Sequence, residues 1–262
     1  MAAADGAARG FRQRVLAGEA VVGTFINLGS PVSTEICALA GFDWLLIDLE
    51  HGSGSQADLL AQLQSVARTG TTPVVRVELS ARTAVSRALD PGAGGIMFPR
   101  IASAVEAAEA VSYLRFPPDG IRGVAIQNRT GRFGQVSIAD LAREDDHLVG
   151  VVQVETLGAL AEIDAIAAVE GVDVLFVGPG DLSYALGCPG QLDAPRYTDA
   201  LTRVLAAAAG AGISPGILVP NAAEARRHLD LGFRFIAVGS DGAFVMNSAR
   251  SIVNDFRSAS TP

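Results

Sequence analysis

Short, nearly continuous apolar runs alternate along almost the whole chain with longer stretches whose apolar residues recur every three or four positions. The short runs read as strands: VVGTFIN (21–27), DWLLID (43–48), PVVRV (73–77), GGIMFP (94–99), LVGVVQVE (148–155), DVLFVG (173–178), ISPGIL (213–218) and FRFIAVG (233–239). Runs apolar on both faces suit parallel strands covered by helices. The amphipathic stretches read as helices over roughly 31–40, 56–69, 81–90, 103–114, 157–169, 196–210, 221–231 and 241–257, with a turn or two more at about 8–17. Ser103 ahead of Glu106 and Asn221 ahead of Glu224 have capping-box spacing. Gly70, Gly171, Gly212 and Gly232 follow helices where a left-handed residue is favoured.

Eight strand–helix units in order predict α/β architecture: one closed (β/α)8 TIM barrel over 1–262, with about 1–8 as a flexible tail. An open doubly wound sheet would carry fewer strands. No G-x-G-x-x-G opens the first unit, which argues against NAD. One connection breaks the rhythm: residues 115–147 run with little periodicity through FPPDGIRGVAIQNRTGRFG. Such length suggests a lid or an interface segment.

Composition narrows the chemistry. The 262 residues suffice for one barrel and a large core, and 28 acidic against 20 basic side chains, net −8, argue against nucleic acid. All 20 basic residues are Arg. Without a Lys amine there is no Schiff base with a carbonyl substrate, no Lys-bound pyridoxal phosphate (PLP) and no P-loop Lys. Cys37 and Cys188 are too few for a disulfide framework, and no Cys/His cluster offers a zinc site. No apolar run approaches the roughly 18 residues of a membrane span, and the start, MAAADGAARGFRQR, lacks a secretory apolar core. A cytoplasmic protein with no membrane partner is expected.

In a barrel, chemistry belongs at the carboxyl ends of the strands. There the sequence places Asp48-Leu49-Glu50-His51-Gly52 after strand two, Arg76 inside PVVRV, Gln153 and Glu155 on strand five, and Gly178-Pro179-Gly180-Asp181 after strand six. Glu155 and Asp181, on neighbouring strands, can offer oxygens to a hard divalent cation, which often takes one or two protein carboxylates and completes its shell with water and substrate. Each alone is equally what caps a helix or pairs with Arg. His51 is either a surface histidine or a proton carrier whose imidazole is held by Asp48. His147 and His228 read as solvent-facing. Arg76 either pairs with a buried carboxylate or offers its planar fork to an anionic oxygen. Backbone N–H groups after Gly178 suit a substrate carboxylate, although Gly-Pro turns are common. Asp90-Pro91-Gly92 reads first as a turn.

Taken together, AGFDWLLIDLEHG (40–52), PVVRV (73–77), ALDPGAGGIMFPR (88–100), RFPPDGIRGV (115–124), VVQVET (151–156) and VEGVDVLFVGPGDLSYALG (169–187) resemble the HpcH/HpaI aldolases, which are class II pyruvate aldolases. The resemblance implies a barrel of the phosphoenolpyruvate/pyruvate type in a homohexamer, a trimer of dimers, with the last helix packed on a neighbouring subunit. It implies that Glu155 and Asp181 bind Mg²⁺, Mn²⁺ or Co²⁺, that Arg76 contacts the keto oxygen of pyruvate, and that N–H groups of Gly180 and Asp181 hold its carboxylate. Gln153 and Leu218 are assigned to substrate contact as well. By the same resemblance His51 with Asp48 governs proton transfer, and Asp90 reaches the site across the subunit interface.

The implied reaction is reversible cleavage of a 4-hydroxy-2-oxo acid to pyruvate and an aldehyde through a metal-stabilised enolate. Chemistry of this kind needs no Lys. Oxaloacetate decarboxylation, or carbon–carbon bond formation like that of macrophomate synthase or a citrate synthase, shares the enolate half. A barrel that binds a keto acid without turnover is the reading from another class. Two departures concern the aldehyde half. Pro99-Arg100 stands where the compared aldolase has Pro-Met, and Gln127-Asn128-Arg129-Thr130-Gly131-Arg132 is richer in Arg. They point to an anionic or polyhydroxylated acceptor, or to pairs between subunits.

Overall fold

Eight parallel strands hydrogen-bond in chain order and close on themselves: β1 (Val21–Ile26), β2 (Trp44–Asp48), β3 (Thr72–Arg76), β4 (Gly95–Phe98), β5 (Val149–Val154), β6 (Val174–Val177), β7 (Ser214–Val219) and β8 (Phe235–Ser240). The structure, a computed structural model, describes residues 10–259, so the tail expected over 1–8 lies outside the described residues. Among the described residues no helix is long and apolar enough to cross a membrane.

Successive strand residues face opposite sides, and this period of two builds two cores. Outward residues such as Leu45, Val75, Ile96 and Leu175 are wholly buried beneath the helices. Inward residues Phe25, Trp44, Met97, Phe176 and Phe235 meet along the axis. The Trp44 ring stacks on Phe235 with centroids 4.0 Å apart. Gly23 faces that ring: a Cβ there would lie 2.3 Å from Trp44 carbons, so the position has no room for a side chain.

A first helix, α1 (10–16), lies across the amino end of the cylinder. Phe11 and Val15 are buried in the axial core, Arg12 forks onto Asp173 at 2.9 and 3.0 Å, and Ser214 Oγ donates to the Val15 carbonyl. The covering helices include α2 (Pro31–Leu39), α3 (Gln56–Val66), α4 (Arg82–Leu89) and α5 (Ala104–Ser112). The short α6 (Ile138–Leu141) precedes β5. The stretch read as one helix over 157–169 is two, α7 (Leu157–Ala161) and α8 (Ile163–Ala167), because Glu162 leaves helical geometry at φ −107°, ψ 20°. After β6 comes the short helix α9 (Pro179–Ala185). It is followed by α10 (Pro195–Ala211), α11 (Ala222–Leu231) and α12 (Asp241–Ala259).

The caps refine the picture. Gly212 and Gly232 are left-handed C-caps. Gly70 is not, because α3 stops at Val66 with Ala67 as its cap, and Gly171, though left-handed, lies beyond the α8 cap at Ala168. Ser103 and Asn221 accept from the first turns of α5 and α11, but Glu106 turns to the Ala102 N–H and Glu224 to Arg227, so neither is a reciprocal box. The reciprocal box is Ser55 with Asp58, where Asp replaces the usual Glu.

The long segment 115–147 is not a lid over this chain's own mouth. It leaves a helix and enters a strand, and such connections lie at the amino end of the barrel. Buried Asp145 accepts from Arg122 Nη1 (2.7 Å), the Phe116 N–H and, through its carbonyl, Arg115, while Arg122 lies 4.6 Å over the Phe116 ring. Thr130 and Arg129 bond to carbonyls of Leu89 and Pro91 just past α4.

Overpacking of the axial core is directly testable. Gly23→Ala should lower the denaturant midpoint by an amount equivalent to about 1–3 kcal/mol, read by tryptophan fluorescence of Trp44.

Candidate active site

The alternation that builds the axial core also builds the mouth. Going up the inner face, Trp44 and Leu46 are followed by Asp48, Val74 by Arg76, Val149 and Val151 by Gln153, and Phe25 by Asn27. At one height the inward residues change from apolar to polar. Glu155 and Gly178 continue β5 and β6 just beyond their ends.

Arg76 is the centre of this layer. Its partner across the β2–β3 ladder is Asp48, and the guanidinium takes that carboxylate as a fork: Nε to Oδ1 at 2.9 Å and Nη2 to Oδ2 at 2.7 Å. Nη1 lies 3.2 Å from Glu50 Oε2 and 3.5 Å from Gln153 Oε1. The cation also sits 5.4 Å from the centre of the Phe25 ring. Asp48 accepts further from Asn27 Nδ2 (2.7 Å) and from the N–H groups of Glu50 and His51. Burial alone would push its carboxyl up, but the Arg76 hydrogen bonds and charge, with those backbone donors, hold it below the ordinary value.

The expected hold of Asp48 on the His51 imidazole is therefore not the arrangement seen. Both Asp48 oxygens are taken, chiefly by an always-charged neighbour on the paired strand, and its contact with His51 is through the backbone N–H. The His51 side chain is 64% exposed, with Nε2 at 3.9 Å from Glu50 Oε1. His228 is not solvent-facing: it bonds to the Glu224 carbonyl at 2.8 Å and packs near Phe233. His147 is half-buried.

Gln153 Nε2 donates to Glu155 Oε2 at 2.6 Å, and the Arg100 N–H donates to Glu155 Oε1 at 2.7 Å. Burial pushes the Glu155 carboxyl up, the Arg100 N–H opposes this, and the negative charges of Asp181 and Glu50 raise it further. A Cβ on Gly178 would come within 2.8 Å of Glu155 Oε2, so only Gly lets the carboxylate lie there. Asp181, exposed in the first turn of α9, has no ion-pair or hydrogen-bond partner among the described residues. Gly180 precedes it in that turn, where backbone N–H groups lack helical acceptors. Leu218, on β7, packs against the axial core.

Asp90 is apart from all of these. It caps the carboxyl end of α4 ahead of β4, hence at the opposite end of the cylinder, half-buried, with Arg122 Nη2 at 3.8 Å. Burial raises its carboxyl, against the opposing effects of Arg122 and Asn128. The segment 127–132 lies at that end too, so within one chain it does not border the mouth.

Asn27 and Glu50, for which the sequence alone suggests no role, also belong to the layer. Asn27 donates to Asp48 from its side chain, takes Asp241 on its N–H (2.9 Å), and accepts from the Ser53 N–H (2.7 Å), pinning the His51 turn. Glu50 pairs with Arg76, and its Oε2 is buried without a hydrogen bond of good geometry.

Among the described residues no group of three or more His, Cys, Asp or Glu side chains is arranged to hold a metal. The available donor set is the pair Glu155 and Asp181, whose like charges act on one another and which a hard cation would relieve. Two carboxylates fit such an ion, and would not satisfy structural zinc.

Fold and rim together define an enzyme of the barrel class whose polar groups converge on the carboxyl mouth around a buried arginine. The chain belongs to the HpcH/HpaI aldolase/citrate lyase family, which it matches over residues 22–248, and is a carbon–carbon lyase of the class II pyruvate aldolase kind. It is 38% identical over 247 residues to a 5-keto-4-deoxy-D-glucarate aldolase of Salmonella paratyphi C, covering 94% of this chain and 96% of that one. A crystal structure of an HpcH/HpaI aldolase/citrate lyase family protein from Burkholderia cenocepacia superposes with TM-score 0.91 at 38% identity, covering 95% of this chain and 99% of the other. An HpcH/HpaI aldolase from Desulfitobacterium hafniense gives 0.89 at 31%, covering 95% and 96%.

Asp48→Asn leaves the Arg76 charge buried without its fork and should cost about 3–5 kcal/mol in chemical denaturation. Because the folded carboxyl lies below its unfolded value of about 3.9, the wild-type contribution is complete above that pH and is lost as pH falls through the folded value. An Asp48→Asn protein should lack that part of the acid transition.

Proposed function

We propose that this chain reversibly splits a 4-hydroxy-2-oxo acid into pyruvate and an aldehyde, with a divalent cation held by Glu155 and Asp181. The observation that carries the reading is the Arg76–Asp48 fork set beside the Gln153–Glu155 pair at the barrel mouth. When bound, the cation supplies Lewis-acid polarisation of the 2-oxo group.

The chain's own groups do the rest. Arg76, oriented by Asp48, meets the negative charge that grows on the 2-oxo oxygen as the bond between C3 and C4 breaks. Gln153 keeps Glu155 in place, and N–H groups of Gly180 and Asp181 hold the substrate carboxylate. A ring nitrogen of His51 takes the C4 hydroxyl proton as the aldehyde forms; its exposed ring leaves room to approach substrate. A proton delivered to C3 completes pyruvate, and the reverse order adds pyruvate to the aldehyde.

Asp90 meets a mouth only from a neighbouring copy, so its role requires a homo-oligomer, which we take to be a hexamer built as a trimer of dimers. Exposed Val245, Met246, Ile252 and Phe256 on α12, with Val32, Ile36 and Leu39 on α2, supply apolar surface for such contacts. The relatives named 5-keto-4-deoxy-D-glucarate aldolase favour a sugar-acid substrate, whose cleavage beside the keto-acid end gives pyruvate and a hydroxy-aldehyde bearing a carboxylate.

Pyruvate release from 4-hydroxy-2-oxo acids should vanish on chelation and return with Mg²⁺, Mn²⁺ or Co²⁺. Glu155→Gln and Asp181→Asn should raise the cation concentration needed for half-activation by about 100-fold or more, equivalent to about 3 kcal/mol. Activity that survives thorough chelation overturns the reading.

A further inference from the structure

We propose that Arg100 selects the aldehyde half of the substrate by binding its carboxylate, an inference that rests on the aldolase reading above. Arg100 follows β4 at the mouth with φ 56°, in the left-handed region that a non-glycine residue seldom occupies. Strain of this kind persists where surroundings impose it, and it gathers at ligand clamps. Here the backbone is fixed by its N–H on Glu155 Oε1, directly beside the proposed cation ligand. Its side chain is exposed, and the guanidinium has no carboxylate partner among the described residues.

Arg100 lines a cleft of about 290 Å³ between the ends of β3 and β4 and the start of α5, together with Glu78, Ser80, Glu106 and Glu109. Ser80 Oγ is shielded from solvent and has no hydrogen-bond partner among the described residues. Glu106 is engaged by the Ala102 N–H and Glu109 by the Tyr113 hydroxyl, each at 2.7 Å. A guanidinium lining a small cleft, on the residue whose N–H holds Glu155, suits a short hydroxylated chain that ends in a carboxylate, since Arg binds carboxylates by a charge-assisted fork. With an apolar residue in place of Arg100, the charged residues lining the cleft would all be acidic and would repel that chain.

The test compares pyruvate addition to 2-hydroxy-3-oxopropanoate with addition to glyceraldehyde, acceptors of the same length that differ in carboxylate against hydroxymethyl. In Arg100→Met the ratio of kcat/KM values, acid over neutral, should fall by about 10- to 100-fold, mainly through KM, with Arg100→Lys restoring part of it. Arg100→Gly adopts the same backbone without strain, keeping the N–H on Glu155, and should show the same fall. An unchanged ratio in Arg100→Met, or a wild-type ratio in Arg100→Gly, overturns the proposal. Exchange of pyruvate methyl protons with D₂O by the Mn²⁺-loaded wild-type enzyme separates the two levels. Its absence defeats the aldolase reading, whereas its presence with an unchanged ratio defeats the role of Arg100 alone.

Discussion

A guanidinium inside a β-barrel must be neutralised where it stands, and Asp48 does this for Arg76. The pair is possible because the parallel register places the two residues side by side on the inner face. From that fork the rest of the mouth follows. Asp48 gathers Asn27 and the turn carrying His51, while Arg76 reaches Glu50 and Gln153, and Gln153 steadies Glu155. A buried pair of this sort contributes little net stability when whole. Its value is orientation: the guanidinium is fixed before any substrate arrives, so little reorganisation is left for the reaction itself.

The carboxylates divide by environment. Asp48 is surrounded by donors and held in its charged form. Glu155 has fewer donors and two acidic neighbours, so burial and repulsion disfavour its charge. One acid is satisfied by the protein, whereas the other, with Asp181, forms the pair to which we assign the cation. On the proposed reading, this asymmetry separates a clamp from a cation site.

Much of this is legible in the sequence. Eight strand–helix alternations suffice for the barrel, and the lack of Lys narrows the chemistry to groups that do not form imines. The polar endings of strands two, three, five and six identified the rim because parallel strands carry their chemistry at one end. Other features needed tertiary detail. Proximity in sequence pairs Asp48 with His51, yet its neighbour across the ladder is Arg76. Asn27 carried a usable signal, since positions 21, 23, 25 and 27 share a face, but an isolated Asn gave no reason to apply it. The left-handed backbone of Arg100 had no sequence signal at all. Segment 115–147 does not cover its own chain's mouth, because a connection from a helix into a strand lies at the far end of the barrel.

The helix that stoppers the amino end of the cylinder has a practical corollary. With Phe11 and Val15 sunk into the axis and Arg12 locked to Asp173, residue 10 starts the described chain at the end of the barrel opposite the mouth. A polypeptide fused ahead of residue 10, or a solid support attached through it, would join each barrel at the end away from its own reactive opening. Removing the stopper instead would bare the aromatic floor of the barrel, turning a tolerant attachment point into a route to aggregation.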